Sequence, residues 1–145
     1  VSQLQVKAAL LGILGILAEH ALLTSNEPVH NPRVELLKTV ISYIRENYQH
    51  SLTLGELAAL AGMNEQYFCR FFKKALGKTP VSYINDFRIR HAATLLRTTE
   101  LPVTEVCLES GFNNLGHFMK EFKKTTQLTP LQFRKQSMAE TKASL

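Results

Sequence analysis

SGFNNLGHFMKEFKK, residues 110–124, places a glycine, an aromatic and two asparagines ahead of a helix-like run that ends in paired lysines. AGMNEQYFCRFFKK, residues 61–74, has nearly the same order. Glycine enters positive φ at little cost and so ends a helix, and asparagine accepts the orphan N–H groups of the helix that follows. Each stretch therefore reads as a tight turn between two helices.

The likeness extends well beyond the turns. At a shift of 49, Leu54, Glu56, Leu57, Ala58, Gly62 and Met63 fall on Val103, Glu105, Val106, Cys107, Gly111 and Phe112. At a shift of 50, Phe68, Phe72, Lys73, Lys74, Thr79 and Pro80 fall on Phe118, Phe122, Lys123, Lys124, Thr129 and Pro130. The second copy thus has one extra residue in its turn. The repeated unit is a short helix, a glycine turn and a longer helix crossing the first. A close crossing needs a small residue, here Ala58 or Cys107, and an apolar anchor, here Phe68 or Phe118. That is a helix-turn-helix, present twice.

Working outward, the periodicity predicts an all-α chain. Leu36, Leu37, Val40, Ile41 and Ile44 recur at helical spacing from Arg33 to about Gln49. Thr53 and Glu56 fit a capping box for a short helix from Leu54, and Asn64 caps the next, whose inward positions are Phe68, Phe71 and Phe72. Thr79-Pro80 opens a long amphipathic helix to about Arg97, carrying Tyr83, Ile84, Phe87, Ala92, Leu95 and Leu96. Pro102 opens another short helix, Asn113 or Asn114 caps the one after Gly111, and Thr129-Pro130 starts a last short one. No stretch alternates in the manner of a strand.

Residues 4–23 read as a helix apolar on nearly every side, which must be buried: against its own domain, along a dimer seam, or as the end of a neighbouring domain. Residues 24–32 hold two prolines and two asparagines without periodicity and read as a linker. The expected organisation is an apolar helix over 1–23, this linker, a two-unit region over 33–137 and a tail over 138–145. Within the region, the units cover about 33–78 and 98–137 and the connecting helix about 79–97.

Composition narrows the function. Of 145 residues 45% are hydrophobic, enough for a packed core. Residues 63–136 hold twelve Lys or Arg against six Asp or Glu, so the basic surplus lies with the repeats and favours an anionic partner. The two cysteines, Cys69 and Cys107, lie in predicted helices and suit free thiols in a reducing cytoplasm. The longest uncharged run near the start, residues 8–18, falls short of the roughly 18–20 residues that span a bilayer. No signal peptide follows Val1, and the chain reads as part of a longer one. His20, His30, His50, His91 and His117 sit in no catalytic pattern, and neither paired carboxylates, a phosphate loop nor metal-ligand spacing occurs. Neither an enzyme nor a cofactor or metal is expected.

The outward face of each second helix is what remains for a partner. The first presents Glu65, Gln66, Cys69, Arg70, Lys73 and Lys74; the second presents Asn114, Leu115, Gly116, Met119, Lys120, Lys123 and Lys124. Such residues suit the major groove of double-stranded DNA. Arg70 or Lys120 can donate to guanine O6 and N7, Gln66 or Asn114 can pair with adenine, and Leu115 or Met119 can lie against a thymine methyl. The distal lysines and helix N-termini would take phosphates. A connecting helix over residues 79–97 spans roughly 28 Å at about 1.5 Å per residue. Successive major-groove faces lie about 34 Å apart, so two units on such a rod can enter adjacent grooves with some tilt or DNA bending. The alternative is a protein-interaction bundle using the same faces, which salt separates from DNA binding.

LTLGELAALAGMNEQYFCRFFKKALGKTP, YINDFRIRHAATLLRTT, VTEVCLESGFNNLGHFMKEFKK and TPLQFR together resemble the DNA-binding domain of the AraC/XylS family of bacterial transcription regulators, from about Arg33 to Lys135. The resemblance implies seven helices in two subdomains. It further implies sequence-specific binding of asymmetric DNA sites, usually to activate transcription by contacting RNA polymerase, and a homodimer formed through residues 1–23 or a separate sensing domain. The family's base-reading positions fall on Gln66, Cys69 and Arg70, then on Leu115, Gly116, Met119 and Lys120. Three departures stand out: Cys107 in place of a usual alanine; Gln127 in place of the glycine after the second reading helix, where a different ending is expected; and Leu115 and Gly116 at positions more often polar. Gln66 and Arg70 are therefore expected to carry most of the direct readout.

Overall fold

The computed structural model describes residues 31–144, and all of their regular structure is helical. The apolar segment expected over residues 1–23 and nearly all of the linker lie outside the described residues. Helix α1 (Pro32–Asn47) begins one residue earlier than expected, because Asn31 accepts a hydrogen bond from the Arg33 N–H at 3.1 Å and Pro32 fills the first helical position. Then come α2 (Leu54–Leu60), α3 (Glu65–Leu76), α4 (Pro80–Thr98), α5 (Val103–Glu109), α6 (Leu115–Thr126) and α7 (Pro130–Ala143).

The turns repeat at the level of single bonds. Gly62 at φ 67° and Gly111 at φ 95° end α2 and α5. The next residue in each case reaches back, Met63 N–H to Ala58 C=O at 2.9 Å and Phe112 N–H to Cys107 C=O at 3.0 Å. Asn64 caps α3 by accepting from Tyr67 N–H at 2.8 Å, and Asn114 caps α6 by accepting from His117 N–H at 2.9 Å. Half of the expected capping box forms on α2, where the Thr53 hydroxyl accepts from Glu56 N–H at 3.1 Å. The complete, reciprocal box lies on α7, between Thr129 and Gln132.

Each unit has its own core. Val40, Ile44, Leu57, Ala58, Ala61, Phe68, Phe72 and Ile84 form the first, and Ile89, Ala92, Leu96, Val106, Cys107, Phe112, Phe118, Phe122 and Phe133 the second. The shift of 50 runs on through the aromatics. Phe68, Phe72 and Tyr83 pack with ring separations of 5.7 and 5.5 Å, and Phe118, Phe122 and Phe133 with 5.7 and 5.4 Å. Phe71, expected to point inward, is half-buried and belongs to neither core. Its neighbour Phe72 takes the inward position and leaves it on the flank.

Helix α4 is more than a rod between units. Ile84 closes the first core from one side, while Ile89, Ala92 and Leu96 supply one wall of the second. It thus serves the second unit as α1 serves the first. Arginines mark the parallel. Arg88 donates from Nε to the Tyr48 carbonyl at the end of α1, at 2.9 Å. Arg134 donates from Nε to the Leu96 carbonyl at the end of α4, at 3.1 Å.

Two expectations about helix ends change. Gln127 does not alter the ending of α6: it adopts the left-handed conformation at φ 67°, the same solution Gly77 reaches after α3. The last helix is not short. It runs 14 residues, through most of the expected tail. Arg134 ties it to α4, Phe133 and Ser137 are buried, and the Thr141 hydroxyl bonds back to Ser137 C=O at 2.9 Å.

Candidate nucleic-acid interface

Burying Phe68 and Phe72 on α3, and Phe118 and Phe122 on α6, decides what each helix turns outward. On α3 the exposed residues include Glu65, Gln66, Arg70, Lys73 and Lys74, with Cys69 half-buried at the margin. On α6 they include Leu115, Gly116, Lys120, Lys123 and Lys124, with the exposed cap Asn114 just before them. Met119 is half-buried and packs against the second core, so it offers less surface than its neighbours. The residues read from the sequence therefore lie along two equivalent helix faces, with Cys69 and Met119 set back.

The electrostatics of the two faces match. The described ion pairs join Lys38 to Glu35, Lys78 to Asp86 and His117 to Glu121, so Arg70, Lys73, Lys74, Lys120, Lys123 and Lys124 stand without acidic partners. Lysines in the last turn of each helix also sit favourably against its negative end. That accounts for their tolerance in the fold, and it leaves their charge unneutralised toward solvent. Glu121, the acidic residue within α6, is turned aside: its side chain is 18% exposed and lies 3.7 Å from His117 Nε2.

Two details refine the expected roles. Asn114 commits Oδ1 to the cap of α6, so its amide N–H groups are what it chiefly has to offer a base. An added Cβ on Gly116 would lie 3.2 Å from that same Oδ1. The small residue therefore keeps the cap uncrowded while flattening the outer face. Sequence reasoning passed over Tyr67, which is 46% exposed on the first turn of α3. The repeat offered a signal, since Tyr67 falls on the exposed ring of His117.

Among the described residues no group of three His, Cys, Asp or Glu could hold a metal ion, and no helix is long and apolar enough to cross a membrane. Burial raises the Cys107 thiol above its ordinary pKa, which keeps it protonated in the second core.

Residues 57–136 match a helix-turn-helix domain family. Over 99 residues the chain is 34% identical to YdeC of Bacillus subtilis (strain 168), described as an uncharacterized HTH-type transcriptional regulator. That match covers 68% of this chain and 34% of YdeC, so the chain spans about a third of this curated relative. A probable AraC family transcriptional regulator from Rhodopseudomonas palustris CGA009 superposes with a TM-score of 0.64 at 28% identity, covering 71% of this chain and 97% of that one. The DNA-binding domain of AdpA, a global transcriptional factor solved in complex with a target DNA, superposes with a TM-score of 0.68 at 26% identity, covering 72% and 94%.

Proposed function

We propose, because this chain belongs to the AraC family of helix-turn-helix DNA-binding transcription regulators, that α3 and α6 enter adjacent major grooves of one duplex and read it in sequence. The observation that carries this reading is the pair of equivalent faces bearing six cations without acidic partners, held on one shared helix. The 19 residues of α4 span roughly 28 Å at about 1.5 Å each, within modest tilt of the groove repeat of about 34 Å. Gln66 and Arg70 carry most of the base readout. Lys120 and Leu115 contribute a donor and an apolar contact from the second unit. Lys73, Lys74, Lys123 and Lys124 take phosphates and set register.

In this reading the DNA-binding part is residues 33–137, residues 24–32 are its linker, and residues 1–23 belong to a regulatory or dimerising region, with a second copy held through them or through a separate sensing domain. Bound at a promoter, the protein acts on RNA polymerase to activate transcription. The fold neighbour solved on target DNA supports the DNA partner; activation and the polymerase contact rest on the family resemblance.

Selection of duplexes from a random pool, followed by affinity measurement across a salt series, tests the reading. Four lysines meeting phosphates give a slope of log affinity against log salt of roughly −3.6. Arg70→Ala is expected to cost about 1–3 kcal/mol and to relax selection at its base, whereas Lys124→Ala weakens all sequences alike and lowers the slope by about 1. A flat salt response would point instead to a protein partner for the same faces, and an unchanged preference in Arg70→Ala would remove Arg70 from the readout.

A further inference from the structure

The two units meet at a junction that the reading faces do not use. It gathers the end of α1, the middle of α4 and the turn between α5 and α6. Arg88, on α4, donates from Nε to the Tyr48 carbonyl at 2.9 Å and from its second terminal nitrogen to the His50 carbonyl at 2.9 Å. The same guanidinium lies over the Phe112 ring, 5.9 Å from its centroid, so one side chain touches the end of the first unit and the core of the second. The Tyr48 ring stands edge-on to Phe87 at 5.0 Å and to His91 at 5.1 Å. Gln49 Nε2 reaches the Glu109 carbonyl at 3.2 Å, a direct bond from one unit's loop to the other's turn. An added Cβ on Gly111 would come within 2.1 Å of the Tyr48 oxygen, so backbone meets backbone there without room for a side chain.

The contacts have a common character. Arg88 and Gln49 bond to main-chain carbonyls, which cannot swing away as side-chain partners can, and the fixed planar fork of an arginine holds both of its acceptors at once. A shared helix alone would fix the distance between two units while leaving each able to rock about its flanking loops. The junction removes that freedom, because one guanidinium bonds the loop after α1 and lies over Phe112 in the turn before α6.

We infer that Arg88 is a positioning residue for DNA spacing, locking the two reading helices at one separation and one rotational phase so that the protein selects the distance between the two DNA segments it reads. The inference rests on the two-groove reading proposed above. Inserting or removing one base pair between those segments moves them about 3.4 Å along the axis and turns them by about 35°. A locked pair of helices cannot follow that change, whereas a loosened pair can.

The test uses the whole 145-residue chain. A duplex selected by it from a random pool is footprinted, and duplexes with one base pair added or removed between the two protected segments are compared. The wild type is expected to lose at least tenfold in affinity on either altered spacing. Arg88→Gln is expected to narrow that discrimination to threefold or less, and Arg88→Lys, which keeps one donor group, to restore part of it. The double variant Tyr48→Leu with Gln49→Ala loosens the junction without touching the guanidinium. It is expected to cut the discrimination at least threefold, and it decides the matter if Arg88→Gln fails to fold. Folded variants that discriminate spacing as sharply as the wild type would overturn the inference, as would a wild type that protects two segments yet tolerates either spacing. A wild type that selects no duplex, or protects only one segment, would instead overturn the two-groove reading beneath it.

Discussion

Gln127 and Gly77 stand fifty residues apart in the same left-handed conformation, at φ 67° and φ 77°, and each N–H reaches a carbonyl four residues back at 2.8 Å, Lys123 and Lys73 respectively. A residue with a Cβ is strained there by about 1–2 kcal/mol. Gln127 recovers part of this through a bond from Nε2 to the Lys124 carbonyl at 3.2 Å. Gln127→Gly is therefore expected to raise stability by about 0.5–1 kcal/mol, after the extra chain entropy that glycine brings to the unfolded state. Thermal unfolding would register this as a rise of a few degrees in Tm. A fall would mean that the side-chain bond outweighs the strain.

Ser110 falls on Ala61 in the repeat, and both are buried, yet the Ser110 hydroxyl has no hydrogen-bond partner. A buried donor left unmet costs about 1–3 kcal/mol against an apolar group of the same shape. Ser110→Ala restores the first unit's solution and is expected to leave stability unchanged or to raise it by about 1 kcal/mol. Urea unfolding with an unchanged m-value reads it out; a loss of more than about 1 kcal/mol would show that the hydroxyl is satisfied in solution.

The paired turn glycines should respond unequally to alanine. At Gly62 an added Cβ meets nothing within 4 Å, so Gly62→Ala carries backbone strain alone, about 1–2 kcal/mol. At Gly111 it would drive into the Tyr48 carbonyl, and Gly111→Ala is expected to cost at least about 3 kcal/mol, because backbone must move. Equal losses in the two variants, measured by denaturant unfolding, would contradict the close approach seen at the junction.

The two thiols differ in reach. Cys69 is half-buried at the edge of α3, whereas Cys107 is 2% exposed and its Sγ lies 3.7 Å from the Phe112 carbonyl. A thiol reagent should modify Cys69 in the native protein and Cys107 only on unfolding. Burial also holds the folded Cys107 pKa above its unfolded value, so its contribution to stability is complete below about 8.5 and is lost as pH rises through the folded value. Tyr48 acts in the same direction from about 10 upward: burial chiefly, and then the Glu109 carboxylate, raise its pKa against a hydrogen bond from Gln49. Tm should decline on the alkaline side, and Cys107→Ala should flatten the first part of that decline.

Much of the fold is legible in the sequence because its signals are local. Glycine at Gly62 and Gly111, asparagine at Asn64 and Asn114, and Thr-Pro at Thr79 and Thr129 each fix a helix end within a few residues, and each appears twice. Periodicity served less well where two aromatics adjoin: it could not say that Phe72 is buried and Phe71 flanking. It also read α4 as one stripe and passed over Ile89, because which unit each residue serves depends on partners tens of residues away. The role of Arg88 was invisible for the same reason, since its acceptors are carbonyls, and any residue type supplies a carbonyl. The exposed face of each second helix was largely legible, because fixing Phe68 and Phe118 inward fixes the opposite side outward. Met119 and Cys69 lie at its edges, where helical spacing alone does not separate exposed from half-buried, and Tyr67 was overlooked beside more obviously polar neighbours.

Helix α4 lends residues to both hydrophobic cores, and this has a thermodynamic consequence. Melting it strips Ile84 from one core and Ile89, Ala92 and Leu96 from the other, so loss of this one helix opens both interiors. The two halves, though duplicates in sequence, are therefore expected to unfold as a single cooperative unit, and calorimetry should record one transition in which the van't Hoff and calorimetric enthalpies agree.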